Sequence, residues 1–300
     1  MIAFVLSGGG NRGALQVGAL QALFERGIAP DILVGTSAGA VNAAYIATKP
    51  SLEGAQELAE IWQGLTKEDV YPGNWLTILW RIITRRDSLF PNANFLRFIE
   101  IHAPSGVERF GDITSVRLYI VATRLDTGEM RLFGEDPEEC LLDALMASTA
   151  LPPLLPPWRC EGKLYIDGGT VADLPVTIAL EKGAKEIYAL HVAKEQVAQP
   201  IRGLINVARQ ALTDILRQQM KQELERTMEQ PRVKLHHIQL TAGQDLPFWD
   251  FSHASELIEE GRRATEAYLK AQPSSPPHGQ RVWRLVKGLL LRRRDSRKAA

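Results

Sequence analysis

Ile2-Ala3-Phe4-Val5-Leu6-Ser7-Gly8-Gly9-Gly10-Asn11-Arg12-Gly13-Ala14 is the stretch on which the fold turns. Five apolar residues ended by glycines read as a short buried strand. Residues 14–26 then read as a helix, apolar on nearly every face, closed by Gly27 and followed by Pro30. Residues 32–34 form a second short strand, Gly35-Thr36-Ser37-Ala38-Gly39 a second turn, and residues 38–47 a second helix. Strand, glycine turn and helix, twice over, open a parallel sheet with helices on its faces.

Downstream, residues 51–64 read as helical, and residues 70–100 as less regular and rich in aromatic side chains. Residues 117–123 and 129–133, joined by Asp126-Thr127-Gly128, predict a hairpin. A short helix at 140–148 precedes an extended loop fixed by Pro152, Pro153, Pro156 and Pro157. A strand at 163–166 delivers Asp167-Gly168-Gly169, and another follows at 186–192. The remainder reads as a long amphipathic helix at 201–228, a strand at 235–240, a helix at 255–269 and a Pro-rich linker at 271–280.

The 300 residues, 45% of them hydrophobic, suffice for a large core. Two cysteines, Cys140 and Cys160, argue against a disulfide framework, and no metal-type spacing is visible. No signal peptide is evident, since the apolar start is short and lacks a basic flank. No run of about 18 apolar residues predicts a spanning helix. The formal charge of zero hides an asymmetry: residues 281–300 carry eight Lys or Arg against Asp295, so the body is mildly acidic.

A serine hydroxyl becomes a nucleophile when it is exposed, oriented and next to a base. A G-x-S-x-G turn between strand and helix exposes and orients it, and here the motif has that context, with Ser37 at a helix N-terminus. A helix start capped by Thr36 or Ser37 would look the same in isolation. Gly8, Gly10 and Gly13 also satisfy the dinucleotide fingerprint G-x-G-x-x-G, but the acidic residue that should end the second strand is missing, Asp31 lying before it. The other use of such a turn is an oxyanion hole, with the N–H groups of Gly9 and Gly10 joined by that of Ala38. Arg12 either fixes the loop or binds a phosphate. None of the six histidines sits in a recognisable catalytic loop; His191, near a strand end, is the best placed. Asp167, after a strand and before two glycines, is the better base. An aspartate at its ordinary pKa of about 3.9 is weakly basic, and burial would raise it.

Gly8–Gly13, Gly35–Gly39, Asp167–Gly169 and the stretch Ala147-Ser148-Thr149-Ala150-Leu151-Pro152-Pro153, in that order, resemble the patatin-like phospholipase family over residues 1–195 and less clearly to 270. The resemblance implies a three-layer α/β/α sandwich with a mainly parallel central sheet. It implies a serine lipid acyl hydrolase needing no metal or other cofactor. Ser37 would be the nucleophile and Asp167 the general base. The turn Gly8, Gly9, Gly10, Asn11, Arg12, Gly13 with Ala38 would form the oxyanion hole, and Gly35, Gly39, Gly168 and Gly169 would be motif glycines.

Such an enzyme meets a lipid surface. Residues 65–100 match no motif of the family; they read either as a lid or interfacial insert, through Trp75, Leu76, Leu79 and Trp80, or as a core helix with a basic end. Val282, Leu285, Val286, Leu289 and Leu290 make residues 281–298 a basic amphipathic helix, read as binding an anionic membrane, packing on the body or remaining disordered. The expectation is a catalytic domain at 1–270 in a cytoplasmic protein, peripheral on the inner membrane surface. Its partner would be a lipid or acyl ester, with no nucleic acid. Esterase or thioesterase action on soluble acyl esters, and a non-catalytic lipid-binding regulator, stay open.

Overall fold

The computed structural model describes residues 1–104, 106–193 and 204–271. In chain order the elements are β1 (Ile2–Leu6), α1 (Ala14–Glu25), β2 (Ile32–Thr36), α2 (Ala38–Thr48), α3 (Leu52–Gly64), α4 (Lys67–Val70), α5 (Trp75–Ile83) and α6 (Ala93–His102). Then come β3 (Arg117–Arg124), β4 (Met130–Phe133), α7 (Leu141–Ser148), β5 (Trp158–Cys160), β6 (Lys163–Asp167), α8 (Val176–Glu181), β7 (Glu186–Val192), α9 (Leu204–Met228), β8 (Lys234–Leu240) and α10 (Ala254–Ala271).

All eight strands join one mixed sheet in the order β5-β6-β3-β2-β1-β7-β8, with β4 also on β3. From β3 to β8 the neighbours run parallel; β4 and β6 are antiparallel to β3, and β5 to β6. The sheet is thus mainly parallel with an antiparallel flank. Its central strands are buried on both faces, as parallel strands covered by helices must be. On one face Ala3, Val5, Ile32, Val34, Ile187 and Ala189 pack with Val176 and Ile178 of α8 and Leu224 of α9. On the other, Phe4 meets Phe24 of α1 at 6.1 Å. These are the three layers.

The chain leaves β1 towards β2 and β3 on one side and returns to β7 and β8 on the other. Such a reversal opens a crevice beyond the carboxyl ends of the strands, where open α/β sheets bind ligands. Both glycine turns lie there.

Several elements differ from expectation. Residues 70–100 hold two helices, α5 and α6, because Asn74 caps α5 by accepting the N–H groups of Leu76 and Thr77. The proline loop ends in β5, too short and too close to the prolines to read as a strand, which pairs with β6. Thr36 and Asp167 extend their strands by pairing with β3. Met220 and Leu224 of α9 face the core, while side chains 204–213 and 215 and the region from residue 272, including the basic tail, lie outside the described residues. Met1–Glu266 form one compact unit; a second, Ala267–Ala300, is described only for residues 267–271, all helical. Among the described residues no helix is long and apolar enough to cross a membrane.

Candidate active site

Ser37 sits between β2 and α2 with φ 55° and ψ −126°. A non-glycine residue there is strained and persists only where its surroundings hold it. Three elements do so. The N–H of Ser37 donates to Ser148 Oγ at 2.9 Å, and that hydroxyl donates to the Val121 carbonyl at 2.7 Å. Thr36 Oγ1 donates to the Ala172 carbonyl at 3.0 Å. The flanking glycines let α2 close on the strands: a Cβ on Gly39 would lie 2.4 Å from the Leu6 carbonyl oxygen, and one on Gly35 2.5 Å from that of Gly39. Ser148→Ala is therefore expected to leave the Ser37 N–H without its acceptor and cost about 1–3 kcal/mol. Thermal denaturation would read this as a lowered Tm, with a reduced kcat beside it.

The register of β3 brings Asp167 to Ser37. Thr36 of β2 pairs with Val121, and Asp167 of β6 pairs with the next residue, Ala122. A Cβ on Gly168 would meet the Val121 carbonyl oxygen at 2.2 Å, so the turn after Asp167 lies flat on β3. Ser37 Oγ donates to Asp167 Oδ2 at 2.6 Å, and Gly169 N–H donates to Oδ1 at 2.7 Å. The carboxylate is 2% exposed. Burial pushes its pKa up to about 6, against the opposing pull of those two hydrogen bonds. Among the described residues no histidine bonds to either side chain; His191 instead pairs with His237 at 3.1 Å, and burial followed by its neighbour's charge holds it down at about 4.

The first glycine turn rests on a buried polar network. Gln16 Nε2 donates to the Ser7 carbonyl at 2.8 Å, Asn42 Nδ2 to that of Gly13 at 3.0 Å, and Trp62 Nε1 to Asn42 Oδ1 at 2.8 Å. Within the turn the six residues divide. The N–H groups of Gly9 and Gly10, like that of Ala38, have no acceptor among the described residues. Gly8 is committed, its N–H donating to the Asp173 carbonyl at 3.2 Å, and Arg12 N–H donates to that of Gly9 at 3.2 Å. Asn11 Nδ2 donates to the carbonyls of Pro247 and Asp250 at 2.8 and 2.6 Å. Arg12 Nη2 meets Asp245 Oδ1 at 2.9 Å, and Gly13 packs against Ala38 and the Trp62 ring. Gly8, Asn11, Arg12 and Gly13 thus make contacts that brace the turn, and Arg12 takes the loop-fixing option.

Beside these donors lies an apolar cavity of about 80 Å³, walled by Gly10, Ala38, Leu58, Trp62, Tyr71 and Phe251. Tyr71 is held among Phe90, Phe248 and Phe251. Burial, then the charge of Asp167, pushes its hydroxyl up to about 12, so it stays a neutral donor at this wall. A larger cleft of about 410 Å³ between α3 and α6 contains neither Ser37 nor Asp167. Ser148, Asn42, Gln16 and Tyr71 were not among the expected site residues. Only Ser148 had a sequence signal, its place in the Ala147–Pro153 stretch.

A serine on a strained elbow, bonded to a buried carboxylate beside open N–H donors, has the parts for acyl transfer. The family model described as Patatin-like phospholipase matches residues 4–180. Human patatin-like phospholipase domain-containing protein 6 is 32% identical over 195 residues, 65% of this chain and 13% of that protein. Lysophospholipase NTE1 of Saccharomyces cerevisiae is 29% identical over 207 residues, 67% of this chain and 11% of the yeast protein. The uncharacterized protein YqhO of Bacillus subtilis is 25% identical over 290 residues, 89% of this chain and 97% of its own length. The chain thus spans about an eighth of the larger relatives and nearly all of the bacterial one.

Proposed function

From the premise that this chain belongs to the patatin-like phospholipase family, we propose that it is a serine lipid acyl hydrolase of the phospholipase A or lysophospholipase type, working through Ser37 and Asp167. The observation that carries the reading is the 2.6 Å hydrogen bond from Ser37 Oγ to a buried Asp167 at the elbow. Asp167 takes the Ser37 proton as Oγ attacks the ester carbonyl. The N–H groups of Gly9, Gly10 and Ala38 receive the charge that develops on the carbonyl oxygen, each donor lowering the barrier by about 2.7–4 kcal/mol. Asp167 then gives its proton to the departing alcohol; water, deprotonated in turn by Asp167, attacks the acyl carbon, and Asp167 returns that proton to Ser37 Oγ as the fatty acid leaves. The apolar cavity at Gly10 and Ala38 holds the start of the acyl chain.

The size of that cavity favours a second reading, hydrolysis of short-chain soluble esters or thioesters. An engineered protein cavity of about 150 Å³ accepts benzene, and this one, at about 80 Å³, takes a shorter piece. A series of p-nitrophenyl esters, lysophospholipids and diacylphospholipids separates the two. In the ester series kcat/KM is expected to rise about fourfold per added methylene until the cavity fills, then level off. Fatty acid released from lysophospholipid or phospholipid supports the lipid reading. Turnover of short esters alone supports the second. Absence of any ester turnover by folded protein removes both and leaves a binding role.

A further inference from the structure

The excursion from Tyr71 to Phe90 carries the densest run of exposed large apolar side chains among the described residues. Helix α5 buries none of its nine residues. Trp75, Leu76, Leu79, Trp80, Ile82 and Ile83 are all exposed, Trp75 by 69% and Ile83 by 70%. The turns of the helix nearest the body are Thr77, Ile78 and Arg81, half-buried. An apolar face of this kind on a short helix is costly in water and marks an interaction site.

The helix is firmly mounted. Asn74 caps its start. At its end Arg81 turns inward, donating from Nε and Nη2 to the carbonyl and hydroxyl of Ser88, both at 2.9 Å. Leu89 and Phe90 then donate their N–H groups to the carbonyls of Pro153 and Leu154, both at 2.9 Å. Both ends of the excursion meet at the cavity wall, where the rings of Tyr71 and Phe90 lie 5.3 Å apart. Phe248 rests on Tyr71 at 5.3 Å and on Trp249 at 4.6 Å, and both of these rings are partly exposed. The excursion that carries α5 thus starts and ends beside the wall of the candidate active site, where Phe248 and Trp249 add exposed apolar surface.

The charges choose the occupant. Arg85 and Arg86 follow the helix, exposed and without an ion pair among the described residues, with Asp87 beside them; Arg86 lies 5.5 Å over the Trp80 ring. The chain's own amphipathic segment at 281–298 is strongly basic and would be repelled here. An anionic bilayer attracts the arginines and accepts the tryptophans and isoleucines below them. We propose that α5, with Arg85 and Arg86, is the surface that docks this protein on an anionic phospholipid bilayer and turns the cavity mouth towards it. The purpose of such docking rests on the lipid-hydrolase reading; the docking itself is measured without turnover.

The test is co-sedimentation of the full chain with vesicles of phosphatidylcholine alone and of phosphatidylcholine mixed with phosphatidylglycerol. Ile82→Asp with Ile83→Asp is expected to weaken partition onto the mixed vesicles at least about tenfold. Arg85→Gln with Arg86→Gln is expected to weaken it about fivefold per arginine on the mixed vesicles and to leave phosphatidylcholine unaffected. Both variants keep wild-type turnover of a soluble short-chain ester, which shows that they fold, and Ser37→Ala binds vesicles as the wild type does. Wild-type binding by the Ile82/Ile83 variant overturns the proposal. So does a wild-type dimer that this variant splits, which assigns the face to a second copy, or a chain lacking residues 272–300 that binds more tightly, which assigns it to the tail. Binding without fatty-acid release counts against lipid hydrolysis alone, and ester turnover without binding against docking alone.

Discussion

Ser37→Ala is expected to abolish labelling by a fluorophosphonate probe and to lower kcat for ester hydrolysis by about a millionfold, the loss typical when a serine hydrolase forfeits its nucleophile. The substitution removes one atom from a position whose backbone is fixed by others. Ser148 still accepts the residue-37 N–H, and the glycine contacts of α2 are untouched. The elbow should persist, so the measured loss isolates the chemistry. Asp167 loses the hydrogen bond that favours its charged form, so its pKa rises further above about 6. Intact-protein mass spectrometry after labelling decides the matter: one probe adduct on the wild type and none on the variant. A variant that labels as fast as the wild type excludes Ser37 as the nucleophile.

What was legible in the sequence follows from which physics is local. A strand cut by glycines and followed by an apolar helix is written in neighbouring residues, and so was the parallel half of the sheet. Asp167 was legible for the same reason, since the glycines after it mark a backbone pressed against β3. Ser148 is 111 residues from Ser37, and its role as acceptor for the elbow exists only once β3 and α7 have packed. Asn42 and Gln16 lie within helices, where their neighbours give no hint that they hold up the glycine turn. A run of glycines in the sequence does not tell which N–H groups are already taken. Gly8 loses its donor to Asp173, 165 residues away in the chain, and no local pattern encodes that. Helix α5 was ambiguous from the opposite cause: an apolar helix reads alike whether it enters the core or stands outside it, and only the observed exposure of Trp75 and Ile83 separates the two.

Asp167→Asn is expected to lower kcat by about a hundredfold to ten-thousandfold, the range for loss of a general base, and at the same time to make the protein more stable. The two effects share one cause. The Asp167 carboxyl has a pKa near 3.8 when exposed and about 6 in the fold. Between those values the folded protein holds a proton that the unfolded chain has released, so stability falls as pH rises through this window and is lowest once pH exceeds about 6. At neutral pH the folded state therefore carries a buried anion at a cost on the order of 2–3 kcal/mol. Asparagine has the same shape and no charge: its carbonyl accepts the Gly169 N–H, and its amide donates to Ser37 Oγ. The variant should melt higher than the wild type at pH 7.5, and the gap should close as pH is lowered towards 4. The same pKa sets the wild-type rate, because only the ionised carboxylate accepts the Ser37 proton; kcat/KM should fall tenfold per pH unit below about 6. A wild-type profile flat from pH 7.5 to 5, or an Asp167→Asn variant that keeps full activity, would remove Asp167 from the role of base. An unchanged melting temperature in an inactive variant would mean that hydration or hydrogen bonding already relieves the buried charge.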